Sequence, residues 1–118
     1  MDAETFVDLV RTTVMHGSVK GVVATLTDPP GRRPHPHLVA LSKWYLGLSA
    51  DDRDMVGRAL AEVSHAAVFH LFALLDGASR VDREDPPGEL ELSHQGQGGR
   101  VVLSGDLHDL LNSEPWYR

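Results

Sequence analysis

The chain of 118 residues contains no cysteine. That excludes disulfide scaffolds, thiolate zinc sites and thiol nucleophiles. Aromatic residues amount to only 6%. Lysine occurs twice, at Lys20 and Lys43, so nearly all positive charge is arginine, a usage that fits a GC-rich bacterial genome. Positive charge is also in deficit, with 11 Lys+Arg against 17 Asp+Glu and a net charge of −6. Such a chain is badly matched to nucleic acid, where affinity comes from neutralising phosphates. The start, MDAETF, has neither the basic residues nor the apolar stretch of a secretory signal. The most apolar run, Ala66–Leu75, is short of the roughly 20 residues that span a bilayer and carries a histidine. The expectation is a cytoplasmic protein with no membrane and no nucleic-acid partner.

What is present fits one domain over residues 1–118. Apolar residues make up 42% of the chain, enough for a core. Residues 2–16 carry Ala3, Phe6, Val7, Val10 and Val14 at helical spacing, with Asp2 or Thr5 as cap. A second set follows at Val19, Val22, Val23 and Leu26. At about 100° per residue the two stripes point roughly 150° apart. This predicts a break at Gly17, with Ser18 capping a new helix. Asp28–Pro36 reads as a connector, with Pro30-Gly31 in the middle of a type II turn. A helix over His37–Leu48 comes next, with Trp44 and Tyr45 read as core.

The segment from Ser49 to Gly77 predicts one long helix, capped by Ser49, acidic in its first turn and closed by a left-handed Gly77. Its second half is apolar nearly all round and should be enclosed by other elements. Glu89–His94 and Arg100–Ser104 alternate and flank GQGG, which predicts a hairpin. Because a two-stranded hairpin is marginal in water, its apolar face should lie on the helices. Asp106–Asn112 predicts a short last helix capped by Asp106. The fold class is therefore α+β, mainly α: a four-helix core around a long central helix, with a C-terminal β-hairpin and a short final helix.

Chemistry is harder to find. Seven histidines raise the question of a metal. His65 and His70, five apart on a helix, point roughly 140° apart and cannot share an ion. No H-E-x-x-H pattern occurs, so neither metal nor cofactor is expected. The serines lack the context of a nucleophile elbow, and GQGG lies between strands rather than at a strand-to-helix turn. His70 falls within the stripe of Val56, Ala59, Val63, Ala66 and Leu74, which places it in the core and His65 outside. A buried imidazole is either a hydrogen-bonded structural residue or a proton-transfer group. Asp76 opposes the helix dipole at the end of its helix, so it either pairs with an arginine or serves a site. His70 and Asp76 are the candidate catalytic residues. Arg32 and Arg33, beside the Pro-Gly turn, are candidate anion or carboxylate binders. Trp116 and Tyr117 form an aromatic contact candidate near the end of the chain.

The stretch F-H-L-F-A-L-L-D-G at 69–77, then G-E-L-E-L at 88–92 and L-H-D-L-L-N at 107–112, resembles small uncharacterised bacterial proteins. Those share a helix ending in Leu-Asp-Gly, a hairpin and a Leu-His-Asp segment. In size, acidity and helical build they are similar to immunity or accessory proteins, which implies a protein partner and no catalytic residue. The resulting expectation is a non-enzymatic interaction module that binds another protein, or itself as a homodimer. The alternative is a small hydrolase or lyase using buried His70 with a carboxylate.

Overall fold

The computed structural model describes residues 1–79 and 82–115. The protein is α+β and mainly helical. Its elements are α1 (Ala3–Leu9), a π-helical stretch (Val10–His16), α2 (Gly17–Thr27), α3 (Pro36–Leu46), α4 (Ala50–Leu75), β1 (Ser93–Gly96), β2 (Gly99–Val102) and α5 (Leu107–Leu111).

The expected break at Gly17 does not occur. Gly17 is right-handed helical, at φ −62° and ψ −39°, and the rod runs on from α1 into α2. The two stripes are reconciled inside the helix. Inward positions run Val7, Val10, Met15, Val19, Val23 and Leu26, with one five-residue step between Val10 and Met15. A π-helical turn bonds i to i+5, and each residue it inserts retards the helical phase by about 100°. Met15 is therefore buried where Val14 was expected, and Val14 faces out. Asp2 caps the start, its Oδ1 accepting from Thr5 N–H at 2.8 Å.

The long rod α4 is continuous. Ser49 Oγ accepts from Asp52 N–H at 3.1 Å at one end. At the other, Gly77 takes φ +78°. There Gly77 N–H bonds Leu74 O and Ala78 N–H bonds Ala73 O, a complete Schellman closure. The core gathers where α1, the π-helical stretch, α4 and α5 meet: Val7, Val10, Met15, Val68, Phe72, Leu107 and Leu111. Helix α5 has only five residues, too few to form alone. It persists because Leu107 and Leu111, one turn apart, are essentially fully buried, each burial stabilising by about 1.5–3 kcal/mol.

Two elements stand further out than expected. α3 leans mainly on α2, and its Tyr45 is buried while Trp44, expected in the core, is exposed. The hairpin pairs Ser93 with Val102, His94 with Val101, Gln95 with Arg100 and Gly96 with Gly99. Gly99 at φ +99° turns the chain. Both strands lie nearer the turn than the expected Glu89–His94 and Arg100–Ser104, so Gly96 and Gly99 pair as strand residues. The expected apolar face lies on the helices only in part, through Leu92, which packs against the core. Leu103 is buried just beyond β2, its N–H bonding Leu92 O at 2.8 Å, but Val101, Val102 and Leu90 are exposed.

The result is elongated. Its extents are 51 × 32 × 28 Å and its radius of gyration is 18.1 Å, against about 13–14 Å for a compact domain of this length. Its accessible surface is 8465 Å², where a compact chain of 12.9 kDa exposes roughly 6,300 Å².

Candidate functional site

The burial of α4 is inverted relative to its sequence pattern. The expected inner stripe held Ala59 and Val63, yet Ala59 is exposed and Val63 is 66% exposed. The face turned inward instead carries His65, Val68, Phe72 and Ala73. His65, expected outside, is 8% exposed, and His70, expected in the core, is exposed. The cause lies in the neighbours. The π-helical shift and α5 both present apolar side chains to the Val68–Phe72 side, and that side holds the larger rings. The premise that made His70 a candidate, burial beside a carboxylate, is thus corrected.

What α4 leaves open is an apolar face. Val63 and Leu71 (53% exposed) lie along it. Beside it, Val14 and Val22 line a groove of about 300 Å³ against Leu60, Val63 and Ala67. No charged side chain lines that groove. By length and composition α4 is also the one helix among the described residues apolar enough to cross a membrane, and only 22% of its most apolar 18-residue window is buried. The second half of α4 is therefore not enclosed as expected. Scattered exposed aliphatic residues are ordinary, whereas here they gather into an uncharged groove between adjacent helices.

The polar groups of the interior work on structure. Asp76, whose side chain is fully buried, reaches the N-terminus of α5. Its Oδ1 accepts from Gly105 N–H at 2.6 Å and its Oδ2 from His108 N–H at 2.9 Å. The same Oδ2 takes a short hydrogen bond from His108 Nδ1. Asp106, the expected cap, makes no side-chain capping bond. Burial pushes the Asp76 carboxyl up, but hydrogen bonds from the His108 ring and from the N–H groups of His108, Gly105 and Leu107 outweigh it and hold its pKa below the ordinary value. The bond to Asp76 raises the His108 pKa against its own desolvation, with the charges of Asp109, Asp76 and Asp106 adding to the rise. Asp76 therefore pairs with His108 rather than with the expected arginine, and the pairing favours the protonated ring.

At the other end of α5, His65 Nε2 donates to Asn112 Oδ1 at 2.8 Å. Between the two polar contacts Phe69 stacks on His65 and meets His108 edge-on, with centroids 6.1 and 5.9 Å away. His65, His108 and Asn112 escaped the sequence reading because their partners lie on a different element. No local pattern marks His108 as the partner of Asp76, which lies 32 residues before it.

Arg32 and Arg33 are exposed in the α2–α3 connector beside Gly31, which takes the predicted positive φ of +88°, and they make no ion pair among the described residues. Trp116 and Tyr117 lie outside the described residues. Among the described residues no group of three metal-ligating side chains occurs. No protein-family model matches the chain, and no curated protein and no solved structure matches it either.

Proposed function

We propose that the protein is a non-enzymatic interaction module that uses the open face of α4, with the adjoining face of α2, to dock a protein partner carrying net positive charge around an aliphatic ridge. The observation that carries this reading is the surplus surface. The chain exposes 8465 Å², about 2,000 Å² more than a compact protein of its mass, and a standard interface covers roughly 800 Å² on each partner. Part of that surplus is the uncharged apolar set around Val63. Aliphatic burial supplies the affinity, and charge selects the partner. The chain carries −6 and opens α4 with exposed Asp51, Asp52 and Asp54, so a cationic protein is drawn in over long range while a second copy brings another −6.

The test places a photo-crosslinking residue at position 63 in cells that make the protein, identifies the trapped protein, and measures its binding to the purified chain. The expected partner is basic, and Val63→Asp weakens it by at least about 30-fold, since a central aliphatic contact turned into a buried charge costs at least about 2 kcal/mol. Val63 is solvent-exposed, so the variant retains the fold. Crosslinks only between copies of the chain, or binding indifferent to Val63→Asp, would overturn the reading.

A further inference from the structure

A second concavity carries the opposite character. A cleft of about 470 Å³ lies between α2, the end of α3 and the first half of α4, within the roughly 300–1,000 Å³ typical of small-molecule sites. Val19, Val23 and Ala61 give it an apolar wall. Its charged lining is Lys20, Arg53 and Arg58 against a single carboxylate, Asp54. Three cations gather here in a chain whose overall charge is −6.

These cations are unequally committed. Arg58 Nε pairs with Asp54 at 3.1 Å, both side chains being exposed. Lys20 makes no ion pair among the described residues. Arg53 is held in place: its Nη2 donates to Leu46 O at 2.8 Å and its guanidinium lies 5.7 Å from the Tyr45 ring centroid. Yet its Nε is buried and without a hydrogen-bond partner. A buried N–H left unpaired calls for an explanation, and a fixed guanidinium at the edge of a cleft is arranged for an anion.

Gly57 is the independent observation. It sits in the interior of α4, where glycine is among the least favourable residues. No positive φ demands it, and a Cβ built there meets nothing within 4 Å. Neither backbone geometry nor packing accounts for the missing side chain. Gly57 lines the cleft, and what its bare Cα preserves is the cleft's volume.

We propose that this cleft binds a small organic acid: a carboxylate held by Lys20, Arg53 and Arg58, with an apolar body lying along Val19, Val23 and Ala61 over Gly57. This site is separate in chemistry from the uncharged groove, although Val19 and Ser64 border both. It stands whether or not the α4 face docks a protein.

The experiment is an amide NMR titration of the full chain with octanoate, alongside octan-1-ol and octylammonium as probes of the same length. Octanoate is expected to shift Val19, Val23, Gly57 and Ala61 saturably, with octan-1-ol at least about tenfold weaker and octylammonium without effect. Gly57→Leu fills the cleft while improving helix propensity, and abolishes the octanoate shifts. Lys20→Gln with Arg58→Gln, both at exposed positions, weakens octanoate by about tenfold per cation removed and leaves octan-1-ol unchanged. Absence of octanoate shifts, equal binding of octanoate and octan-1-ol, or undiminished binding to both variants would overturn the proposal.

Discussion

Arg11 and Asp76 hold opposite ends of the same five-residue helix. Asp76 gives its carboxylate to the N–H groups at the start of α5. Arg11 gives Nη2 to the carbonyls of Leu110, by a short bond, and of Leu111, at 3.1 Å, at its end. Each charge has the sign the helix dipole favours at that end. Arg11 is itself steadied by Asp8 at 2.6 Å. A helix too short to stand alone is thus fixed by two side chains from outside it, 65 residues apart in sequence.

Removing either clamp should loosen α5 as a unit. Asp76→Asn takes the charge from a buried carboxylate that accepts three hydrogen bonds and is expected to cost about 2–3 kcal/mol. Arg11→Met keeps the stem and loses the carbonyl bonds, for about 1–2 kcal/mol. Once one clamp is gone the other has less to hold, so the double variant should cost less than the sum of the two. Denaturant midpoints of the four proteins, at constant slope, measure this.

Asp76 and His108 give stability a pH signature. The folded pKa of His108 is raised above its ordinary value of 6.5. Its contribution is therefore complete below that value and is lost as pH rises through the higher folded value. The folded pKa of Asp76 lies below its ordinary 3.8. Its contribution is complete above 3.8 and is lost as pH falls through the lower folded value. The melting-temperature gap between the native chain and Asp76→Asn should be widest at about pH 5–6 and narrow on the alkaline side of neutrality. A gap that widened with rising pH would contradict the His108 pairing.

Two histidines on one helix separate pattern from packing. His65→Phe loses the bond from the buried ring to the exposed Asn112, at an expected cost of about 0.5–1.5 kcal/mol. His70→Phe, at an exposed position, should stay within about 0.5 kcal/mol of the native chain. Thermal unfolding of the two variants decides between this assignment and the reverse one that the α4 stripe implies. The existence of α4, the hairpin and α5, and the limits of the two helices, were legible because caps, turn glycines and alternation are local; the strand limits were not, since pairing runs on through Gly96 and Gly99. The face that α4 buries was not, since it has apolar residues on both sides and the choice is made by α5 and the π-helical stretch. The open Val63 side, the Asp76–His108 pair and the cationic cleft all depend on that choice.

Gly17 and Gly77 follow apolar helices in similar ways, yet the structure gives them opposite roles. Gly77 at φ +78° closes α4 in a conformation that L side chains avoid, so Gly77→Ala should destabilise by about 1–2 kcal/mol. Gly17 sits in right-handed helix, and a Cβ there meets only Thr12 O at 3.8 Å, an ordinary contact. Gly17→Ala should therefore stabilise by about 0.5–1 kcal/mol through helix propensity. A left-handed Gly17 ending a separate helix would give the opposite sign. Local propensity reads the two glycines alike because a π-helical insertion leaves no residue type as its mark. It shows only as a phase change in the stripe, which a break explains equally well until Met15 is found inside and Val14 outside. Unfolding free energies of the two alanine variants, measured together, distinguish a continuous rod from two helices joined at Gly17.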